Sequence, residues 1–158
     1  MSTVKETLDV EVPVYVAYNQ WTQFEEFPKF MEGVEEVRQL DHRRNHWTTR
    51  IGGVRREFDT EIVDQLADDR ITWRTVDGDT RQRGSVRFQR LDETHTRVEL
   101  TMDVEPGGVA EKGADALGLI DRRVKGDLRR FKDYVEHHGA ESGAWRGRIR
   151  PEDTTPPS

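Results

Sequence analysis

The chain has 158 residues, a length that suits one domain with a single hydrophobic core. Its 25 basic and 31 acidic side chains give a formal net charge of -6, and an acidic chain without a basic stripe is a poor candidate for nucleic-acid binding. The absence of cysteine excludes disulfides, a thiolate nucleophile and cysteine-ligated zinc. No apolar run approaches the ~20 residues that span a bilayer, and no secretory signal pattern is visible. We therefore expect a soluble, cytoplasmic protein.

The first thirty or so residues predict a strand followed by two short helical segments. Apolar residues recur at even positions from Val4 to Val12, which indicates a strand with one buried face. Pro13 ends this strand and suits a first helical turn, and apolar residues at helical spacing follow as far as Trp21. Pro28 interrupts a second apolar group, which predicts a second short helix or a turn. That group consists of Phe24, Phe27, Phe30 and Met31.

From Val34 to Glu105 the apolar period returns to two, which predicts a series of strands. The parity of the first of them is imperfect and indicates a β-bulge. Turn residues such as Gly52-Gly53 separate the segments, so we expect an antiparallel meander with one solvated face. The six predicted strands are Val34–Leu40, His46–Ile51, Glu57–Ile62, Ile71–Thr75, Gly84–Gln89 and Arg97–Val104.

The remaining apolar residues are spaced three and four apart, which predicts one long amphipathic helix from about Val109 to about His138. Residues 139–158 are rich in glycine, proline and charge, and we interpret them as a flexible tail from which Trp145 could dock back. The predicted organisation is therefore one domain over residues 1–138 and a tail over residues 139–158.

Several sequence runs, in this order along the chain, resemble the START-like superfamily, also called SRPBCC or the polyketide cyclase/dehydrase and lipid transport family. The runs are Val10–Pro13, Ala17–Trp21, Phe27–Met31, Ile71–Arg74, Gly84–Phe88, Thr96–Met102 and Val104–Gly108. The resemblance covers roughly Val4 to His138. It implies an α+β helix-grip fold, in which a seven-stranded curved antiparallel sheet wraps around a long C-terminal helix. Two short helices lie between strands 1 and 2, and a cavity lies between sheet and helix.

The resemblance also implies a function, because members of this superfamily bind hydrophobic or aromatic small molecules. We expect a carrier or sensor of a hydrophobic, lipid-like or aromatic ligand, with no cofactor and no membrane insertion. Large aromatic side chains and threonines on the inner parity of the strands fit such a cavity. The predicted lining residues are Phe27, Phe30, Met31, Trp47, Thr49, Phe58, Thr60, Trp73, Thr75, Phe88, Leu100, Met102 and Leu117.

An enzymatic alternative is a polyketide cyclase/dehydrase, since aromatase/cyclase members of the superfamily use a pocket arginine and hydroxyl groups. This chain has Ile62 at the position matched to that arginine, and Val34 near the position of a pocket tyrosine. Both departures count against that chemistry. The catalytic candidates left are Thr60 and Arg56, although Arg56 at a strand end fits an exposed rim arginine equally well.

A second alternative is a protein-interaction module with an apolar surface patch around Phe24, Phe27 and Phe30. The histidines are scattered over strand ends, turns and the last helical turn, so no metal site is predicted. The oligomeric state is open, with a homodimer as one option.

Overall fold

One antiparallel sheet of seven strands forms the body of the protein. The computed structural model describes residues 2–51, 53–78, 81–104, 114–138 and 144–151. The strands are β1 (Ser2–Val10), β2 (Val34–Gln39), β3 (Arg44–Ile51), β4 (Val54–Leu66), β5 (Arg70–Gly78), β6 (Gln82–Asp92) and β7 (His95–Val104). Their order across the sheet is β1-β7-β6-β5-β4-β3-β2. Strands adjacent in sequence therefore pair, and β1 closes the series by pairing with β7.

Tight turns allow these strands to follow one another directly. The turn between β4 and β5 places Asp68 at a φ of 62°, a left-handed conformation that aspartate tolerates better than most residues. Gly78, at the end of β5, has a φ of 116°, and an added Cβ would lie 2.4 Å from the Cα of Phe58. No other residue fits there without moving β4. The predicted bulge in β2 is confirmed, since the β2–β3 register shifts between Val34 and Glu36.

Two helical elements follow β1, and a long helix comes after β7. Helix α1 spans Val14–Trp21, a 3₁₀ helix spans Phe24–Lys29 with Pro28 inside it, and helix α2 spans Ala114–His138. Helix α2 buries an apolar stripe at helical spacing, which consists of Val124, Leu128, Phe131 and Val135. None of the described helices is both long and apolar enough to cross a membrane.

The hydrophobic core is densest where α1, the 3₁₀ helix and the second half of α2 meet the sheet. Phe131 is fully buried, with its ring centroid 4.8 Å from that of Trp21 and 5.3 Å from that of Phe30. These rings meet edge-on, an arrangement that aromatic pairs favour. We call the sheet side of this region the packed end, which comprises Ile71, Val86, Phe88, Val98 and Leu100.

This architecture confirms the predicted helix-grip fold: a seven-stranded curved antiparallel sheet, two short helices between β1 and β2, and a long C-terminal helix. The predicted start of the last helix, at Val109, lies outside the described residues. The predicted apolar surface patch is wrong, because Phe24, Phe27 and Phe30 are all buried in the core.

Residues 144–151, part of the segment predicted as a flexible tail, contact the domain, and we call them the C-terminal strap. Ile149 is only 2% exposed and pairs with Gln65 of β4 through two backbone hydrogen bonds of 2.8 and 3.1 Å. The Ile62 amide donates to the carbonyl of Arg43, so β3 covers this edge of β4 as far as Ile62. The strap therefore continues the pairing of β4 where β3 has ended.

Charged side chains fix the strap to the domain as well. Arg146 donates to Asn19 at 2.6 Å and to Asp68 at 2.7 Å, and its guanidinium lies 5.6 Å from the centroid of the Tyr18 ring. Trp145 stacks on His42 with ring centroids 5.9 Å apart, as expected for a docked residue. Residues 139–143 and 152–158 lie outside the described part of the chain.

Candidate functional site

The inner face of the sheet changes character along its strands. Beyond the packed end, the inward-facing side chains keep part of their surface accessible to solvent. We call this region the open end, which comprises Trp47, Trp73, Thr75 and Met102. Strand register places Trp73 and Met102 on either side of Gly84, since Gly84 pairs with both. Large apolar groups left half-buried on a concave face form a surface on which an apolar ligand can lie.

Aromatic rings form two walls of the open end. The rings of Trp47 and Phe58 are stacked, with centroids 6.1 Å apart and planes inclined by 7°. The Trp73 indole lies over Gly84, where an added Cβ would be 2.4 Å from Trp73 Cζ2 and 3.0 Å from Met102 Sδ. Gly84 therefore leaves the space that the indole occupies, and a flat apolar ligand would find aromatic faces on both sides.

A row of polar side chains crosses the inner face between these walls. Asn45 of β3 lies opposite Thr60 of β4, and Thr60 lies opposite Thr75 of β5. Trp47 Nε1 donates to Thr60 Oγ1 at 2.8 Å, while Thr75 Oγ1 donates to the Gln82 carbonyl at 2.9 Å. We call these three residues, Asn45, Thr60 and Thr75, the polar row.

The predicted lining residues divide between the two ends. The structure places five of them in the packed core: Phe27, Phe30, Met31, Phe88 and Leu100. It places Trp47, Trp73, Thr75 and Met102 at the open end, with the buried side chains of Thr49, Phe58 and Thr60 beside them on the same face. The side chain of Leu117 lies outside the described set. That the open end lines a ligand cavity stays a prediction.

The two catalytic candidates are not brought together. Thr60 is buried in the polar row, whereas Arg56 is half-buried opposite Thr49 near the start of β4. Four residues of extended strand separate them, a distance of about 13 Å, and Phe58 lies between them on the same face. The two candidates therefore occupy separate positions on the inner face, one on either side of Phe58.

Sequence reasoning overlooked several inward-facing polar residues, among them Asn45 and Glu6. Asn45 shares the parity of Trp47 and Thr49, and Glu6 shares that of Val4 and Leu8, so strand parity could have identified both. Glu6 lies opposite Leu100. For Asn45 the signal is a short polar residue on the same strand face as a tryptophan. For Glu6 it is a single acidic residue on a strand face that is otherwise apolar.

Glu6 belongs to a charged group between β1 and α2. A hydrogen bond to Asp121, burial and the negative charge of that neighbour all raise the pKa of Glu6 above its ordinary value, while Lys125 acts against them. The same hydrogen bond lowers the pKa of Asp121. Lys125 Nζ lies 3.3 Å from Asp121 and 3.9 Å from Glu6. The hydrogen bond therefore favours a proton on Glu6 and the ionised form of Asp121.

A second charged group holds α2 against the loop that precedes β2. Arg130 donates to the carbonyl of Phe30 at 2.9 Å and to Asp127 at 2.5 Å, and Asp127 also accepts from the backbone amide of Glu32. Burial raises the pKa of Asp127, although the hydrogen bond from Arg130 opposes that shift. These contacts fix the height of α2 above the sheet and so the depth of the space beneath it.

The outer face of the sheet carries a separate groove of about 220 Å³, lined by Asp69, Arg87, Phe88, Gln89, Arg97 and Glu99. Two of its charges are already engaged: Arg97 forms two hydrogen bonds with Asp9, and Glu99 lies 3.7 Å from Lys5. Within the described residues, no group of three or more histidine, aspartate or glutamate side chains is placed to hold a metal ion.

Comparisons with known proteins agree with this geometry. The model of the family described as polyketide cyclase / dehydrase and lipid transport matches residues 10–133. An uncharacterized 17.2 kDa protein of Streptomyces lincolnensis is 52% identical over 149 residues, which cover 94% of this chain and 99% of that protein.

Two solved structures have similar folds. A START superfamily protein from Mycobacterium smegmatis has a TM-score of 0.76 at 15% identity, over 86% of this chain and 98% of that one. An aromatase/cyclase from a Streptomyces species has a TM-score of 0.73 at 15% identity, over 91% of this chain and 99% of that one. At this level of identity the likeness concerns the fold.

Proposed function

The chain belongs to the polyketide cyclase/dehydrase and lipid transport family, and from this premise we propose that it binds a hydrophobic, aromatic or lipid-like small molecule at the open end. The ligand lies between the inner face of the sheet and helix α2. The chain then acts as a carrier or sensor, because the two catalytic candidates, Thr60 and Arg56, are not adjacent on the inner face and Phe58 lies between them.

The observation that carries this proposal is the half-buried state of Trp47, Trp73 and Met102 on a concave face. Among the other inward-facing apolar side chains of the sheet, Ile71, Val86 and Val98 are fully buried, so the fold is able to bury such groups. Each square ångström of apolar surface removed from water contributes about 25 cal/mol. An apolar ligand that covers these rings would gain that contribution.

A blocking substitution tests the proposal. The uncharged fluorescent probe N-phenyl-1-naphthylamine is titrated into the wild-type protein and into Met102→Trp, which fills the open end with an indole. The matched control is Val76→Trp, since Val76 is exposed on β5 and the same new side chain there points away from the inner face. Circular dichroism confirms that each variant is folded.

We expect saturable binding by the wild type and by Val76→Trp, and at least ~10-fold weaker binding by Met102→Trp, equivalent to about 1.4 kcal/mol. Equal affinities for all three proteins would show that the probe binds elsewhere, and absence of saturable binding by the wild type would refute the proposed function.

A further inference from the structure

Asn45 carries a hydrogen-bond acceptor that the described structure leaves unused on the inner face. Its side chain is 1% exposed, and its Oδ1 atom has no hydrogen-bond donor within reach among the described residues. Buried polar side-chain atoms are nearly always paired, and an unpaired one calls for an explanation. Asn45 Oδ1 is one of five such atoms among the described residues, and the one of them that belongs to the polar row between the aromatic walls, where a further molecule can supply the donor.

Thr60, directly across the strand pair from Asn45, offers the complementary group. Residues directly opposite each other in an antiparallel pair have Cβ atoms about 5 Å apart, so one small polar group can contact both side chains. The indole of Trp47 donates to Thr60 Oγ1, which occupies an acceptor position of the hydroxyl. In the described part of the chain no hydrogen bond uses the Thr60 hydroxyl as donor.

A ligand hydroxyl satisfies both residues at once. It accepts a hydrogen bond from Thr60 Oγ1 and donates its own hydrogen to Asn45 Oδ1. A ketone or an ether accepts from Thr60 but leaves the Asn45 carbonyl unpaired, and a hydrocarbon leaves both groups unpaired. The chemistry of the pair therefore discriminates among ligands that have the same apolar body.

We propose that Asn45 and Thr60 form a recognition site for a hydroxyl group, so that the ligand is an apolar, aromatic molecule with a phenolic or alcoholic hydroxyl. This inference rests on the proposed binding function and defines its ligand class. Trp47 positions Thr60 by fixing the direction of the threonine hydroxyl, and the stacked Trp47 and Phe58 rings hold the aromatic body of the ligand.

The test compares three probes that share one ring system: 2-naphthol donates and accepts, 2-methoxynaphthalene accepts only, and naphthalene does neither. Each displaces N-phenyl-1-naphthylamine from the wild type and from the variants Asn45→Leu, Thr60→Val and Thr60→Ser. The matched control is Thr48→Val, because Thr48 is a buried threonine on the opposite face of β3. Thr60→Val keeps the shape of threonine, so it remains informative if Asn45→Leu does not fold.

We expect the wild type to bind 2-naphthol about 10-fold more tightly than 2-methoxynaphthalene, which a net difference of one hydrogen bond and one unpaired carbonyl would produce. Asn45→Leu and Thr60→Val should reduce this ratio to ~2 or less, while Thr60→Ser and Thr48→Val should retain it.

Equal binding of 2-naphthol and 2-methoxynaphthalene by the wild type would overturn the hydroxyl site, and so would a ratio that survives Asn45→Leu or Thr60→Val. In either case saturable binding of the naphthalene body would leave the proposed function intact. If none of the three probes displaces N-phenyl-1-naphthylamine from the wild type, the hydroxyl site fails, while saturable binding of N-phenyl-1-naphthylamine itself still supports the proposed function.

Discussion

The packed end and the open end lie on the same strands, within a few residues of each other, yet they differ in how deeply their inward-facing side chains are buried. At the packed end Ile71 and Val86 are fully buried, whereas two residues further along β5 the Trp73 ring keeps surface accessible to solvent. Both ends have apolar residues on the same parity, so composition does not separate them. What separates them is the cover that other elements provide.

The cover at the packed end consists of aromatic rings from α1, the 3₁₀ helix and α2. Trp21, Phe27 and Phe131 fill the concave side there with edge-on contacts. At the open end Gly84, which has no side chain, faces Trp73, and the polar row runs across the neighbouring strands. The comparison teaches that one curved sheet can combine a rigid core with half-buried aromatic side chains where glycine and small polar residues take the place of large apolar ones.

Truncation of Phe131 should produce the largest loss of stability. Phe131→Ala removes a fully buried ring and leaves a cavity between Trp21 and Phe30, which costs about 3–5 kcal/mol in the free energy of unfolding. Met102→Ala at the open end should cost far less, because its side chain is only half-buried. Urea denaturation of both variants measures the difference, and similar losses would contradict the division into two ends.

The C-terminal strap should contribute to stability without contributing to binding. Ile149→Ala removes a buried side chain that covers the end of β4, so we expect a loss of about 2 kcal/mol or more, with unchanged affinity for N-phenyl-1-naphthylamine. Arg150→Ala, an exposed neighbour, is the control. A large change in probe affinity with Ile149→Ala would mean that the strap belongs to the binding site.

The outer face behind the open end should give a smaller, pH-dependent effect. A hydrogen bond to Asp59, at 2.5 Å, raises the pKa of His46 above its ordinary value of 6.5, and burial opposes the shift. A raised pKa in the folded state stabilises the protein below pH 6.5, and that contribution is lost as the pH rises through the folded pKa. The urea concentration at the midpoint of unfolding should therefore decrease as the pH is raised from about 6 to about 8.

Asp59→Asn removes the partner charge and should flatten this dependence, which separates His46 from the other titrating groups. Equal slopes for the wild type and Asp59→Asn would show that the His46–Asp59 contact does not stabilise the folded state. Probe affinity should be the same for both proteins, because the contact lies on the face opposite the polar row.

The sequence was sufficient to predict the strands, because alternation and turn residues are local signals. Gly78 and Asp68 favour turns through their own backbone conformations, independently of contacts with distant parts of the chain. The C-terminal strap could not be predicted in this way, since Ile149 is an isolated apolar residue in a charged segment and its burial depends on the unpaired edge of β4. The sequence also could not predict which aromatic residues lie at the packed end and which at the open end. Strand parity shows that Trp73 and Phe88 share a face, but it does not show how deeply each is buried.

The four tryptophans allow one direct test of the central claim, that an aromatic ligand binds at the open end. Each indole N–H gives one signal in a ¹⁵N-correlated NMR spectrum: Trp47 and Trp73 report on the open end, Trp21 on the packed end and Trp145 on the strap. Titration with 2-naphthol should shift the Trp47 and Trp73 signals and leave those of Trp21 and Trp145 in place. Shifts confined to Trp145 or Trp21, or no shift at any of the four, would contradict the account.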